Sequence, residues 1–384
     1  MNVYQVDPVD VLMLRGNRSF GDGGEHGEVS MPPWPSVFAG AFRAALLGQD
    51  ANLLAAYSRH AGDSNRPVRE RSAAIREAIG ERLFDVLGTP DAPGSFRLAW
   101  LSLARHGGPV MPLPADLLAF RSGEELRTVP LTPAEIPGAS GPLPLRAVPR
   151  LEAQQKPAGG AWLDAAGVQA HLAGMAPATV MPTSRLFAAE TRLGIGIDPT
   201  ARTAADGALY TTEAVSFAAG SGFLVGIEGM EGAALPDEGV LRLGGDGRAA
   251  RYRRVDAALP AHAPVAGRFR LVMATPAVFA GGWIPDGVAA DADGHYRLKG
   301  DGFSARLVCA AVPRNAVVSG WDIARWIPKT AQRVVPAGSV YWFDGFEGDH
   351  RKLATWVAGG VWGDNADRQR RAEGFNLALL GEWR

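Results

Sequence analysis

The residues best equipped for chemistry in this chain are arginines set among glycines. Arg15 and Arg18 lie in Arg15-Gly16-Asn17-Arg18-Ser19-Phe20-Gly21-Asp22-Gly23-Gly24. Small residues there let the backbone approach a ligand, and two guanidinium groups can grip a phosphate. A second such stretch, Leu243-Gly244-Gly245-Asp246-Gly247-Arg248, could form an anion-binding nest. A hairpin turn accounts for the same letters, and Asp246 would repel phosphate. His26, in Gly24-Glu25-His26-Gly27-Glu28, has the chemistry of a general base toward a ribose 2′-hydroxyl, with a nearby arginine to steady the phosphate. It has no evident second acid or base. The other histidines are scattered without metal-ligand spacing, and no Walker loop, GxSxG elbow or paired acidic motif is present.

These residues need elements to hold them. Residues 9–14 are apolar at nearly every position and read as a strand buried on both faces. The arginine loop follows, and a helix opens at Met31-Pro32-Pro33-Trp34-Pro35-Ser36, where proline suits the first turn and Ser36 can cap free N–H groups. Phe38, Phe42, Ala45 and Leu46 form its core face, and Arg43 is expected to point away from it. An arginine-bearing loop between a core strand and a helix N-terminus is a good place to hold a phosphate, although most such loops are only connectors.

At 384 residues the default is two domains. The one cysteine, Cys309, excludes a disulfide framework and reads as a buried strand thiol. No stretch is long and apolar enough for a bilayer, no leader pattern is evident at the start, and a cytoplasmic protein is expected. The net charge of −1 does not announce nucleic acid. Lys156, Lys299, Lys329 and Lys352 are the only lysines, so nearly all the cationic charge is arginine. Arginine suits bidentate phosphate contacts and stacking on bases, but a GC-rich genome produces the same bias.

Further along, residues 66–87 read as one helix and 96–103 as a strand. Ten prolines between 107 and 160 predict an irregular insertion covering one face. Residues 209–217 and 222–227 read as two antiparallel strands joined by a turn. Strands near 268–275, 305–312 and 339–343, a helix near 353–357, a polar loop over 364–374 and a last strand at 375–380 leave the pattern of a βαββαβ unit with an irregular first crossover. The expected class is α+β: two ferredoxin-like (RRM-like) domains with long insertions, 1–260 and 261–384.

Read in order, these segments resemble one family, the RAMP proteins of the type III-B (Cmr) CRISPR effector complex that sit at the 5′-handle end of the guide RNA. The resemblance rests on residues 7–20, Pro32-Pro33-Trp34-Pro35-Ser36, Ala39-Gly40-Ala41-Phe42-Arg43, residues 190–198 and 207–210, and Leu243–Arg248. It continues through Thr275-Pro276-Ala277-Val278-Phe279, Gly282-Trp283-Ile284-Pro285, Ser319-Gly320-Trp321-Asp322, Pro328-Lys329, residues 336–341 and Gly374-Phe375-Asn376-Leu377. Asn376 stands where the wider glycine loop favours glycine, which sets RNA contact by that loop aside.

The resemblance implies a non-catalytic subunit that grips the 5′ handle of the crRNA. Its implied partners are the large polymerase-like subunit and the backbone RAMP subunits, with no cofactor, metal or membrane. The RNA-contacting set is then Arg15, Arg18, Ser36, Arg43, Arg192, Arg248, Trp283, Lys329 and Arg333. For Arg192 an ion pair with Glu190 is the alternative. For Trp283 and Trp326 packing competes with base stacking. Two other functions remain open: a metal-independent repeat endoribonuclease using His26, and a scaffold that touches protein only.

Overall fold

The central strand of the N-terminal sheet is Asn2–Pro8, not residues 9–14. The computed structural model describes residues 1–14, 26–27, 30–63, 65–123, 125–198, 200–322, 325, 327–364 and 366–384, with side chains left aside at 26, 27 and 205–207. Val3, Tyr4, Gln5 and Val6 are buried, and the strand is paired antiparallel on both sides, with Ser221–Glu228 and Ala249–Val255. The chain then bends at Val9 and Asp10. Beyond the bend Leu12 exchanges backbone hydrogen bonds of 2.9 and 2.8 Å with Val215. Val11, Leu12 and Leu14 are therefore core without being strand, an ambiguity inherent in short apolar runs.

The described residues form an eight-stranded sheet in the order Glu238–Arg242, Ala249–Val255, Asn2–Pro8, Ser221–Glu228, Arg97–Arg105, Gly108–Pro112, Ala161–Leu163, Met181–Pro182. Helices α1 (Pro35–Leu47), α2 (Ala51–Gly62), α3 (Val68–Ile79) and α4 (Glu81–Leu87) lie in the connection from Asn2–Pro8 to Arg97–Arg105. Phe38 and Phe42 of α1 pack on this sheet, 4.8 Å from Phe223 and 5.3 Å from Tyr4 between ring centroids. Pro35 opens α1 after Trp34, and no side chain caps it, so Ser36 is a helical residue and not the cap. The single helix expected over 66–87 is two, because Gly80 takes φ +80° between α3 and α4.

The proline-rich segment is also more regular than its composition predicts. Leu117–Ser122, Glu125–Ala134 and Arg146–Pro149 form a three-stranded sheet. Its middle strand pairs one neighbour through Pro130 and the other only from Leu131 onward, so neither Pro130 nor Pro133 is paired on both sides. The two strands expected to form a hairpin at 209–227 instead part company. Ser221–Glu228 enters the large sheet, while Ala204–Phe217 pairs with Phe187–Ile197 as a long ribbon. Helix α5 (Ala165–Leu172) follows the insertion.

The C-terminal strands form a six-stranded sheet in the order Val288–Ala290, Tyr296–Gly300, Phe303–Ala311, Val340–Gly348, Phe269–Met273, Ala378–Glu382. Helices α6 (His350–Ala358) and α7 (Arg368–Glu373) connect Val340–Gly348 to Ala378–Glu382. Helix α7 occupies what the sequence predicts as a polar loop. Asp367 caps it by accepting from Gln369 N and Arg370 N, each at 3.0 Å. One core runs through both halves, joining Tyr4 and Phe223 to Val308, Trp342 and Leu379. Cys309 is buried in that core, and burial pushes its thiol up to about 11. Strand outweighs helix, 40% to 19%, giving a mixed α and β architecture with several antiparallel sheets. Among the described residues no helix is long and apolar enough to cross a membrane.

Candidate nucleic-acid interface

Two hollows gather four of the residues singled out in the sequence. The first is a cleft of about 530 Å³ between the helical part of the N-terminal half and residues 321, 322, 325 and 327–332, lined by Arg43, Tyr57, Arg325, Lys329 and Arg370 among others. Arg43 does not point into open water. Its guanidinium lies 5.0 Å from the centroid of the Phe96 ring, with Nε and Nη2 shut off from solvent and lacking a hydrogen-bond partner. Helix α1 is also flanked by α2 and α7, so the face opposite its aromatic stripe is covered too. Burial pushes the Arg43 guanidinium below its usual value, opposed by Glu373 and the Tyr57 phenol. Tyr57 is itself pushed up to about 12 by burial.

Lys329 and Arg370 share the buried Glu373 carboxylate at 3.1 and 3.0 Å. Arg325 reaches Asp91 at 3.0 Å and Asp322 at 3.6 Å. Neither Arg325 nor Arg370 was found by reading the sequence. Arg370 lies in a polar stretch whose arginines look like any solvated charge until Asp367 starts a helix there, and Arg325 meets Asp91, 234 residues away in sequence, which no local pattern reports.

The second hollow is a groove of about 600 Å³ lined by residues 140–143, Leu145 and Arg146 of the insertion together with Trp283, Asn315 and Arg333. Trp283 is half-buried, its ring 6.3 Å from that of Tyr296. Arg333 is exposed beside it. Arg146 is anchored by donating to the Leu143 and Leu145 carbonyls. An aromatic ring with two guanidinium groups in one groove can stack a base and meet its phosphate. Lys329 and Arg333, close in sequence, are thus divided between the two hollows.

The other predicted contacts stand apart. Arg248 pairs with Asp10 at 3.0 Å, and its glycine stretch is the turn between Glu238–Arg242 and Ala249–Val255, with Gly244, Asp246 and Gly247 at positive φ. Arg192 lies on the ribbon, 3.6 Å from Glu190. Ser36 is half-buried on α1. Arg15, Arg18 and Trp326 lie outside the described residues. His26 and Gly27 pair in parallel with Thr211 and Thr212, so that piece of backbone is docked on the ribbon.

Asn376 has a structural duty. Buried at φ +61°, it accepts from Val278 N at 2.7 Å and donates to the Val278 and Val361 carbonyls. The terminal glycine loop is thereby pinned inward.

The described residues thus form an antiparallel α and β chain with two arginine-lined hollows where its halves meet. The family model described as "CRISPR-associated protein (Cas_Cmr3)" matches residues 4–383. The chain belongs to that family and is a subunit of a type III-B CRISPR effector complex. Two solved structures are similar in fold, both of the type III-B Cmr-beta complex bound to cognate target RNA, the second also with AMPPnP. Each is 13% identical and covers 98% of this chain, with 96% and 98% of the other chain matched and TM-scores of 0.48 and 0.47. None of the curated proteins matches.

Proposed function

We propose that this subunit binds the 5′ handle of the guide RNA and docks on the large polymerase-like subunit, acting in the cytoplasm without a catalytic step of its own. The observation that carries the RNA half is the groove in which Trp283, Arg333 and Arg146 come together. Two of its three key residues are those selected from the sequence for stacking and phosphate contact. The RAMP reading gains support from strand order. In each sheet four strands, Ala249–Val255, Asn2–Pro8, Ser221–Glu228, Arg97–Arg105 and Ala378–Glu382, Phe269–Met273, Val340–Gly348, Phe303–Ala311, stand fourth, first, third, second in sequence, as in a ferredoxin-like unit. The N-terminal unit keeps helices in its first crossover and the C-terminal unit in its second.

The docking half is supported by the exposed aliphatic side chains of the ribbon, Leu193, Ile195, Ile197 and Leu209. The test is coexpression of the tagged chain with the other complex subunits and a CRISPR transcript. The chain should bring down guide RNA and the large subunit, and Arg333→Glu should keep the proteins while releasing RNA. Recovery of the chain alone would refute the reading.

A further inference from the structure

Among the described residues, strand Phe187–Ile197 has a neighbour on one side only, since its sheet runs Phe187–Ile197, Ala204–Phe217, His26–Gly27. The register fixes which residues face the open side. Phe187 lies opposite Phe217, and Ala218 N donates to Leu186 O at 2.9 Å, so the even-numbered residues exchange backbone hydrogen bonds with Ala204–Phe217. The N–H and C=O groups of Ala189, Thr191, Leu193 and Ile195 therefore point outward. All four residues are exposed. Natural edges are guarded against pairing with another strand by charge, bulges or proline. Here the charges are Glu190 and Arg192, two apart, opposite in sign and on one face, with Arg192 Nη2 3.6 Å from Glu190 Oε2.

We propose that this edge pairs antiparallel with the same edge of a second copy of the chain, about a two-fold axis through Thr191. An edge charged with one sign would repel its copy. Two opposite charges flanking the axis do the reverse, because Glu190 falls opposite Arg192 of the second copy and Arg192 opposite its Glu190. In the same register the outward backbone groups meet, Thr191 with Thr191 and Ala189 with Leu193, as hydrogen-bonded pairs. The charged residues then take the non-hydrogen-bonded positions, where side chains approach most closely. Each guanidinium lies between two carboxylates, one along its own strand and one across the axis.

Other registers lose this match. Axes through Glu190 or Arg192 set like charges face to face. Pairing about Leu193 or Gly194 puts Arg192 against a glycine. Pairing about Ile195 needs Arg192 against Asp198, past the irregularity between Ile195 and Ile197, and that carboxylate already accepts from Thr200 N and Ala201 N at 2.7 and 3.0 Å. Contact through one strand pair makes a weak, reversible dimer. It owes nothing to the guide-RNA reading, and it uses the backbone edge of the strand, whereas the docking reading uses its aliphatic face.

Sedimentation equilibrium of the full-length chain, without RNA or other subunits, reads the association directly. A concentration-dependent equilibrium of monomer and dimer is expected. Glu190→Arg and Arg192→Glu should each weaken it about tenfold or more, because two symmetric ion pairs are lost and like charges face one another. The double variant, with the charges exchanged, should restore wild-type association. Cys309 is the only cysteine and is buried, so an added thiol reports position. Thr191→Cys should give a disulfide-linked dimer on mild oxidation, whereas Leu193→Cys, roughly 13 Å along the strand from its own copy, should not. A chain that stays monomeric up to its solubility limit, a double variant as weak as the single ones, a dimer indifferent to both charge reversals, or crosslinking at position 193 instead of 191 overturns the proposal.

Discussion

Asp116 fastens the two halves at a single carboxylate. It meets His171 Nε2 of α5 at 2.7 Å and accepts from Arg270 of the strand Phe269–Met273. Arg270 also donates to the carbonyls of His171 and Glu382. All three side chains are buried. Burial alone would raise the Asp116 carboxyl, but His171 and Arg270 override it and hold it below the usual carboxylate range. A carboxyl depressed in the folded state adds its stability in full above its unfolded value of about 3.9 and loses it as pH falls through the folded value.

Asp116→Asn should therefore cost about 3–5 kcal/mol at neutral pH, because Arg270 is left buried and half-answered. It should also flatten the acid limb of a melting-temperature profile. A wild-type acid limb in the variant would show that the cluster contributes nothing. None of this was legible beforehand, since a lone histidine, aspartate and arginine 55 to 154 residues apart carry no local signal. Arg43 was legible as a cation but not as a buried one. The helix periodicity shows one face, and only the packing of α2 and α7 closes the other.

Among the elements, the ribbon Phe187–Ile197 with Ala204–Phe217 stands out by what it exposes. Leu193, Ile195, Ile197 and Leu209 are 50–70% exposed. Ile195 lies directly opposite Leu209, and Leu193 and Ile197 alternate with Gly194 and Gly196, so these aliphatics share one face. Contiguous exposed aliphatics mark interaction surfaces. Replacing Leu193, Ile195 and Leu209 together by serine should leave thermal stability nearly unchanged. In a pull-down it should release the large subunit. Retention of every protein subunit with loss of RNA instead would assign this face to nucleic acid.

The sequence shows only one ribbon segment as a strand, residues 209–217, and pairs it with the wrong neighbour. A tight Gly-Ser turn reads as a hairpin, whereas the turn hands the chain from one sheet to another. The proline-rich insertion fails the opposite way. Proline removes a donor only on the side where a partner would need it, so strands paired on one side accommodate what composition alone forbids.

At the scale of the molecule, the strand–helix order of the C-terminal half was readable because most of its connections are short. The N-terminal half was harder, because the strands beside Asn2–Pro8 arrive more than 200 residues later, and no periodicity reports a partner at that distance. Both hollows open where segments of the two halves meet, and a guide strand lying across them would contact both. The most direct test is ultraviolet crosslinking of the assembled complex, with RNA–peptide adducts located by mass spectrometry. The account predicts adducts between 5′-handle nucleotides and this subunit at Trp283 and within residues 321–333. Adducts confined to neighbouring subunits, with none on this chain, would contradict it.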